Sequence, residues 1–242
     1  MAAGMLSGFI TAFLQTKMGI DSLLAGIIVN TALYSVNIAV MKGASLLNMN
    51  KTPTVFTKMN ELLAKTPLAK QSKLVVAAIA VALVAVFLTF FLKTKLGLAI
   101  RATGNNPDMV RSSSINPVFT TFVGLCIANS FTALSGCLLA QSQKSVNIDI
   151  GTGMVTIAIA SLLIGGVFCG RGKMGLRIFG MVIGAFTFRL VYTIALRFNM
   201  PAFMLKLVSS VIVIAAIAGP YLRSRMPLIM RKIKSKGERG RA

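Results

Sequence analysis

Tryptophan and histidine are absent from these 242 residues, and acids are scarce, five Asp and Glu against 26 Lys and Arg. Without histidine the chain lacks the commonest metal ligand and the side chain that titrates nearest neutrality. Cys126, Cys137 and Cys169 lie in or beside apolar runs with neither metal-ligand nor disulfide spacing, so they read as small interior residues. The sequence holds no acid pair suited to catalysis and no G-x-x-x-x-G-K-[ST] loop. It therefore gives no basis for catalytic residues, metal ligands, a cofactor or a nucleotide site, and an enzyme is not expected.

Charge is scarce as well, at 13% of residues against 55% hydrophobic. A soluble domain covers its surface with many charges of both signs. Here apolar runs of about 17–20 residues recur instead, the length a helix needs to cross roughly 30 Å of hydrocarbon. The expected fold is all-α: a polytopic transmembrane helical bundle of about seven spans, with membrane lipid as its surroundings. A net charge of +21 would ordinarily raise nucleic-acid binding. The charges sit in loops and tails between spans, however, so no nucleic-acid partner is expected.

The first apolar run, Met1 to Leu14, has no charged signal-peptide start. Its Gly4 and Gly8 suit close helix contact, or are chance in a span rich in small residues. Ser22 to Met41 is the second span. Asn30, Tyr34 and Asn37 share one of its faces, positioned either for hydrogen bonds to other helices or for a substrate path. Residues 42–73 form a polar insert in which Thr52-Pro53 starts and Thr66-Pro67 ends a helix. Its apolar face is Val55, Phe56, Met59, Leu62 and Leu63, with Glu61 and Lys65 opposite, as in a helix lying on a membrane surface or a partner. Leu74 to Leu92 is a third span, with no charge. Pro117 to Ala140 is the fourth, and Asn129, Ser130, Thr132 and Ser135 make it a second candidate for the path. Met154 to Phe168 is a short fifth span ending in the basic turn Gly170–Lys173. Ile178 to Leu196 and Phe203 to Gly219 are the sixth and seventh, joined at Asn199-Met200-Pro201.

Arg189 and Lys206 fall inside the last two spans, where a charge is a functional candidate by default. Lys206 is close enough to Pro201 for its stem to reach the interface. Arg189 faces the path and attracts a carboxylate, or it pairs with a helix carbonyl end.

Between the third and fourth spans, residues 93–116 are polar and carry their own helix signals. Asn106 can cap, Pro107 suits the first helical position and Asp108 places an acid in the first turn. Pro117 closes the segment. An ordinary solvated loop is the bland alternative. The wording Gly97-x-Ala99-x-Arg101-Ala102-x-Gly104-x-Asn106-Pro107-x-x-x-Arg111-x-x-x-Ile115-Asn116 resembles the cytoplasmic coupling segment of ABC importer permeases of the branched-chain amino acid/ribose superfamily. Thr11 to Met41, with Leu14-Gln15-Thr16-Lys17 and Leu33-Tyr34-Ser35-Val36-Asn37, resembles the early core of these permeases. Ile157 to Gly166 is similar to their A-I-A-x-x-x-I-G-G signature. Leu205-Lys206-Leu207 to Gly219-Pro220-Tyr221-Leu222 is similar to a subgroup served by amino-acid-type binding proteins, some of them aromatic.

The resemblance implies a transmembrane permease domain over residues 1–222 and a basic cytoplasmic tail over 223–242. It implies a permease homodimer around a central path for a small solute, foremost an amino acid, with a sugar or nucleoside still open. A separate cytoplasmic ABC ATPase would hydrolyse ATP and grip Arg101, Gly104, Asn105, Asn106, Pro107, Asp108 and Arg111. An extracytoplasmic solute-binding protein would deliver cargo. With 93–116 inside, the inner segments hold sixteen Lys and Arg and the outer ones eight. The protein is then a multi-pass cell-membrane protein with a cytoplasmic C-terminus and the 42–73 insert outside. An N-terminus outside suggests that the chain lacks one or more of the family's first spans. The runner-up is an ion-coupled secondary transporter, but all five acids lie outside or at the edges of spans and no repeat is visible.

Overall fold

The computed structural model describes residues 1–50, 52–63, 71–151, 154–169 and 174–197, with single positions 207, 210, 211, 214 and 218. The chain divides into two compact units, Met1–Asp149 and Ile150–Ala242.

In the first unit, α1 (Ala2–Thr16) and α2 (Ser22–Val40) are joined by a short turn in which Asp21 caps α2. Strand β1 (Leu46–Asn48) leads to α3 (Val55–Leu63) and then α4 (Ser72–Phe91). Two short helices follow, α5 (Lys95–Asn105) and α6 (Pro107–Ser112), before the long α7 (Pro117–Gln143) and strand β2 (Ser145–Asn147). The 27 residues of α7 extend about 40 Å, enough to cross a bilayer with turns to spare.

α1 lies antiparallel on α7, with Gly4 over Asn129 and Ala133, and Gly8 over Leu125 and Cys126. The glycine pair is thus a packing device: a Cβ at Gly8 would stand 2.5 Å from the Leu125 carbonyl oxygen. Phe9 and Phe122 complete the seam, ring centres 5.1 Å apart. α4 touches α7 through Phe87 against Phe131, edge to face at 5.7 Å.

The described residues are mostly helical, as expected, and two three-residue strands add a short ribbon. β1 and β2 pair antiparallel, Leu46 opposite Asn147 and Asn48 opposite Ser145. Lys42 and Lys144, which follow α2 and α7, both turn the chain through the left-handed region, at φ 55° and 54°. After α2 the N–H of Gly43 donates to Ile38 O and that of Lys42 to Ala39 O, closing the helix end. The two outgoing chains then meet as a ribbon. Three residues are too few for an alternating pattern to show in sequence.

α3 begins where Thr52-Pro53 places it, and Glu61 lies on its exposed face. The helix packs on the chain's own α4 and α7, with Phe56 buried but Val55 exposed, and the Val55 N–H donates to Gln141 Oε1 at 3.1 Å. Lys65 and Thr66-Pro67 lie outside the described residues.

In the second unit, α8 (Met154–Cys169) and α9 (Met174–Arg197) pack antiparallel, backbone on backbone. Gly165 meets Gly180, and Gly184 meets the Ser161 carbonyl. Phe188, Ala160 and Ile178 are buried in this seam.

α2, α4, α7 and α9 are long and apolar enough to cross a membrane, whereas α1 and α8 are shorter. Residues 203–219, expected as the seventh span, are described only at isolated positions, and Lys206, the turns at 170–173 and 199–201 and the tail 223–242 lie outside the described residues. Large side chains such as Phe90 and Phe186 are 70% exposed. Lipid is the solvent that such a surface fits. Span hydroxyls satisfy themselves: Thr31, Thr89, Thr132 and Thr187 each donate to the carbonyl four residues back.

Candidate functional site

The polar segment between α4 and α7 is a rigid elbow of two helices instead of the single one expected. α5 starts at Thr94, whose Oγ1 accepts the Gly97 N–H at 3.2 Å, and Gly97 sits tight against the Phe91 carbonyl and Leu92. This threonine cap is a sequence signal that the polar, glycine-containing wording of 97–105 masked. Asn106 ends α5 in an extended conformation and starts α6, its Oδ1 accepting from the N–H groups of Asp108 and Met109, both at 3.1 Å. Pro107, Asp108 and Arg111 take their expected places in the six-residue helix. Asn116 repeats the device at the start of α7, accepting from Val118 and Phe119.

Contacts beneath hold the elbow to α7. Val110 is buried and its carbonyl accepts from Ile115 N–H. Ile100 lies against Gly124, and Thr103 Oγ1 meets Thr120 Oγ1 at 2.8 Å. Outward, Arg101, Gly104, Asn105, Asn106, Pro107, Asp108 and Arg111 are all exposed. Sequence reasoning passed over Met109, 66% exposed among these polar neighbours, and the Thr103–Thr120 pair.

The two ends of α7 carry different structures. The elbow and the α1–α2 turn lie at its N-terminal end. The ribbon, α3 and the start of α4 lie at its C-terminal end, where Lys73 Nζ donates to Ser142 O. The elbow and the ribbon with α3 are therefore at opposite ends of one helix.

The polar residues of the spans fall into two kinds. Ser130 is buried in the α1 seam and donates to Met1 O at 3.5 Å, and half-buried Asn129 donates to its own helix at Leu125 O. Asn30, Tyr34 and Asn37 are exposed on α2, whose buried side is Ala25 and Val29. Among the described residues none of the three side chains has a hydrogen-bond partner. Arg189 is exposed on α9. Among the described residues no cluster of His, Cys, Asp and Glu has the makings of a metal site.

The family model described as branched-chain amino acid transport system, permease component, matches residues 1–217. The chain is 30% identical over 215 residues to a tyrosine transport system permease protein of Clostridioides difficile (strain R20291), covering 89% of this chain and 69% of that protein. It is 32% identical over 165 residues to an uncharacterized protein of Rickettsia prowazekii (strain Madrid E), 67% of this chain and 55% of the relative. No solved structure matches.

Proposed function

The chain belongs to the family of permease components of branched-chain amino acid transport systems, and from that membership we propose how its parts divide the work. It is a membrane-spanning transport subunit, here taken as the path-forming half of an ATP-driven importer, with an amino acid as cargo. The C. difficile relative is named for tyrosine, so an aromatic amino acid is the first cargo to test.

The observation that carries the reading is the elbow. A six-residue helix is too short to hold itself in water, yet α6 is capped at its start, fixed beneath by Val110 and flanked by α5 and α7. A segment so constrained, with Arg101, Asp108 and Arg111 outward, suits docking on a separate cytoplasmic ATPase. Met109 supplies the apolar contact such a partner would cover. Asn30, Tyr34 and Asn37 are exposed polar groups on a span, which cost free energy facing lipid and suit a wet path or the mate of a homodimer. Arg189, exposed on α9, would attract a carboxylate. The ribbon end then faces outward, where a binding protein would deliver solute. The basic residues of 223–242 favour the inner leaflet, which puts the C-terminus inside.

The test is reconstitution with the partner ATPase and binding protein. Uptake requires ATP, and Arg111→Glu abolishes it together with ATPase association. Uptake that follows an ion gradient without ATP overturns the proposal.

A further inference from the structure

We infer that the Thr103–Thr120 pair is the linkage through which movement of the elbow passes to α7, a reading that rests on the docking role proposed above. Among the described residues it is the one hydrogen bond between side chains that joins the elbow to the long helix. Thr120 is 2% exposed, and its hydroxyl lies 2.8 Å from that of Thr103. Each hydroxyl also reaches a carbonyl of its own helix, Thr103 to Ala99 O at 2.8 Å and Thr120 to Pro117 O at 2.9 Å.

A hydroxyl has one proton. Either Thr103 donates to Thr120 and Thr120 to Pro117 O, or Thr120 donates to Thr103 and Thr103 to Ala99 O. In both arrangements a continuous line of hydrogen bonds runs from one helix into the backbone of the other. Two further contacts are apolar: Ile100 against Gly124 one turn along, and buried Val110 beneath α6. Apolar contact is non-directional and lets two helices slide. A buried hydrogen bond fixes distance and direction, and its strength is greater where water is excluded. It therefore carries pull as well as push.

What it would move is a rod. α7 runs unbroken for 27 residues, and at its far end Gln141 accepts from α3 and Lys144 leads into the ribbon. Thr103 and Thr120 are positioning residues: they touch neither nucleotide nor solute.

The experiment uses the full chain reconstituted with its ATPase and binding protein, comparing Thr103→Val and Thr120→Val with wild type. Either valine leaves the other hydroxyl bonded to its own helix, so no buried donor is orphaned. ATPase association and basal hydrolysis stay at the wild-type level. Solute moved per ATP hydrolysed falls roughly 3- to 10-fold, the size of effect a single hydrogen bond accounts for. Thr103→Ser and Thr120→Ser restore it. If Thr120→Val does not fold, Thr103→Val carries the test, since Thr103 is only half-buried. An unchanged ratio, or uptake and hydrolysis that fall in proportion, overturns the inference. A wild-type chain that binds no ATPase overturns the docking role instead.

Discussion

At Gly8 the backbones of α1 and α7 approach so closely that a methyl group has no room, since both nearest groups are main chain. Gly8→Ala is expected to destabilise the seam by about 1–3 kcal/mol, the usual cost of overpacking. Gly26→Ala, with nothing within 4 Å, should cost nothing by that route. Gly184→Ala and Gly166→Ala form the same contrast in the second unit, crowded against open. Thermal unfolding in detergent, followed by gel filtration, checks all four. The spacing of Gly4 and Gly8 was visible in the sequence; which helix they would meet was not, because a repeat of small residues names no partner. Ser130 teaches the same point from the other side. A hydroxyl within a span looks alike whether it faces a path or a neighbouring helix, and nothing in the sequence places Ser130 beside the Met1 carbonyl.

Among the elements, α6 is short and is capped by one side chain. Asn106→Ala removes the acceptor for two N–H groups and is expected to cost about 1 kcal/mol of local stability. Amide exchange over 108–112 should rise roughly fivefold by that cost, while Asn106→Asp keeps the wild-type rate. Unchanged exchange in the alanine variant would show that packing at Val110 alone holds the helix. The start of α6 was legible because a cap followed by proline has few other uses. α5 was not, since Gly97 and Gly104 argue locally against a helix and tertiary contact with α4 and α7 overrides them. The amphipathic face of α3 was legible too, but a face open to lipid and one covered by a neighbouring helix share the same periodicity.

For the molecule as a whole, orientation in the membrane is the property most open to test. Within residues 1–149 the segments 15–21 and 93–116 carry five Lys and Arg, and the segments 42–73 and 140–153 carry seven. Charge in this part of the chain alone therefore does not favour the elbow inside, and the proposed orientation rests on the basic tail and the docking role. In a cysteine-free background, Asn48→Cys should react with a membrane-impermeant maleimide added to intact cells, and Ser112→Cys only after permeabilisation. The reverse pattern would put the elbow on the wrong side for any cytoplasmic ATPase.

The ribbon has one more effect. α1 is bound along its length to α7, tied to α2 by a tight turn at one end, and α2 is stapled back to α7 by β1 and β2 at the other. Those three helices close a triangular truss, which should restrain α2 from rolling about its own axis. A span able to spin would smear Asn30, Tyr34 and Asn37 over every azimuth; braced at both tips, it presents them in one fixed direction.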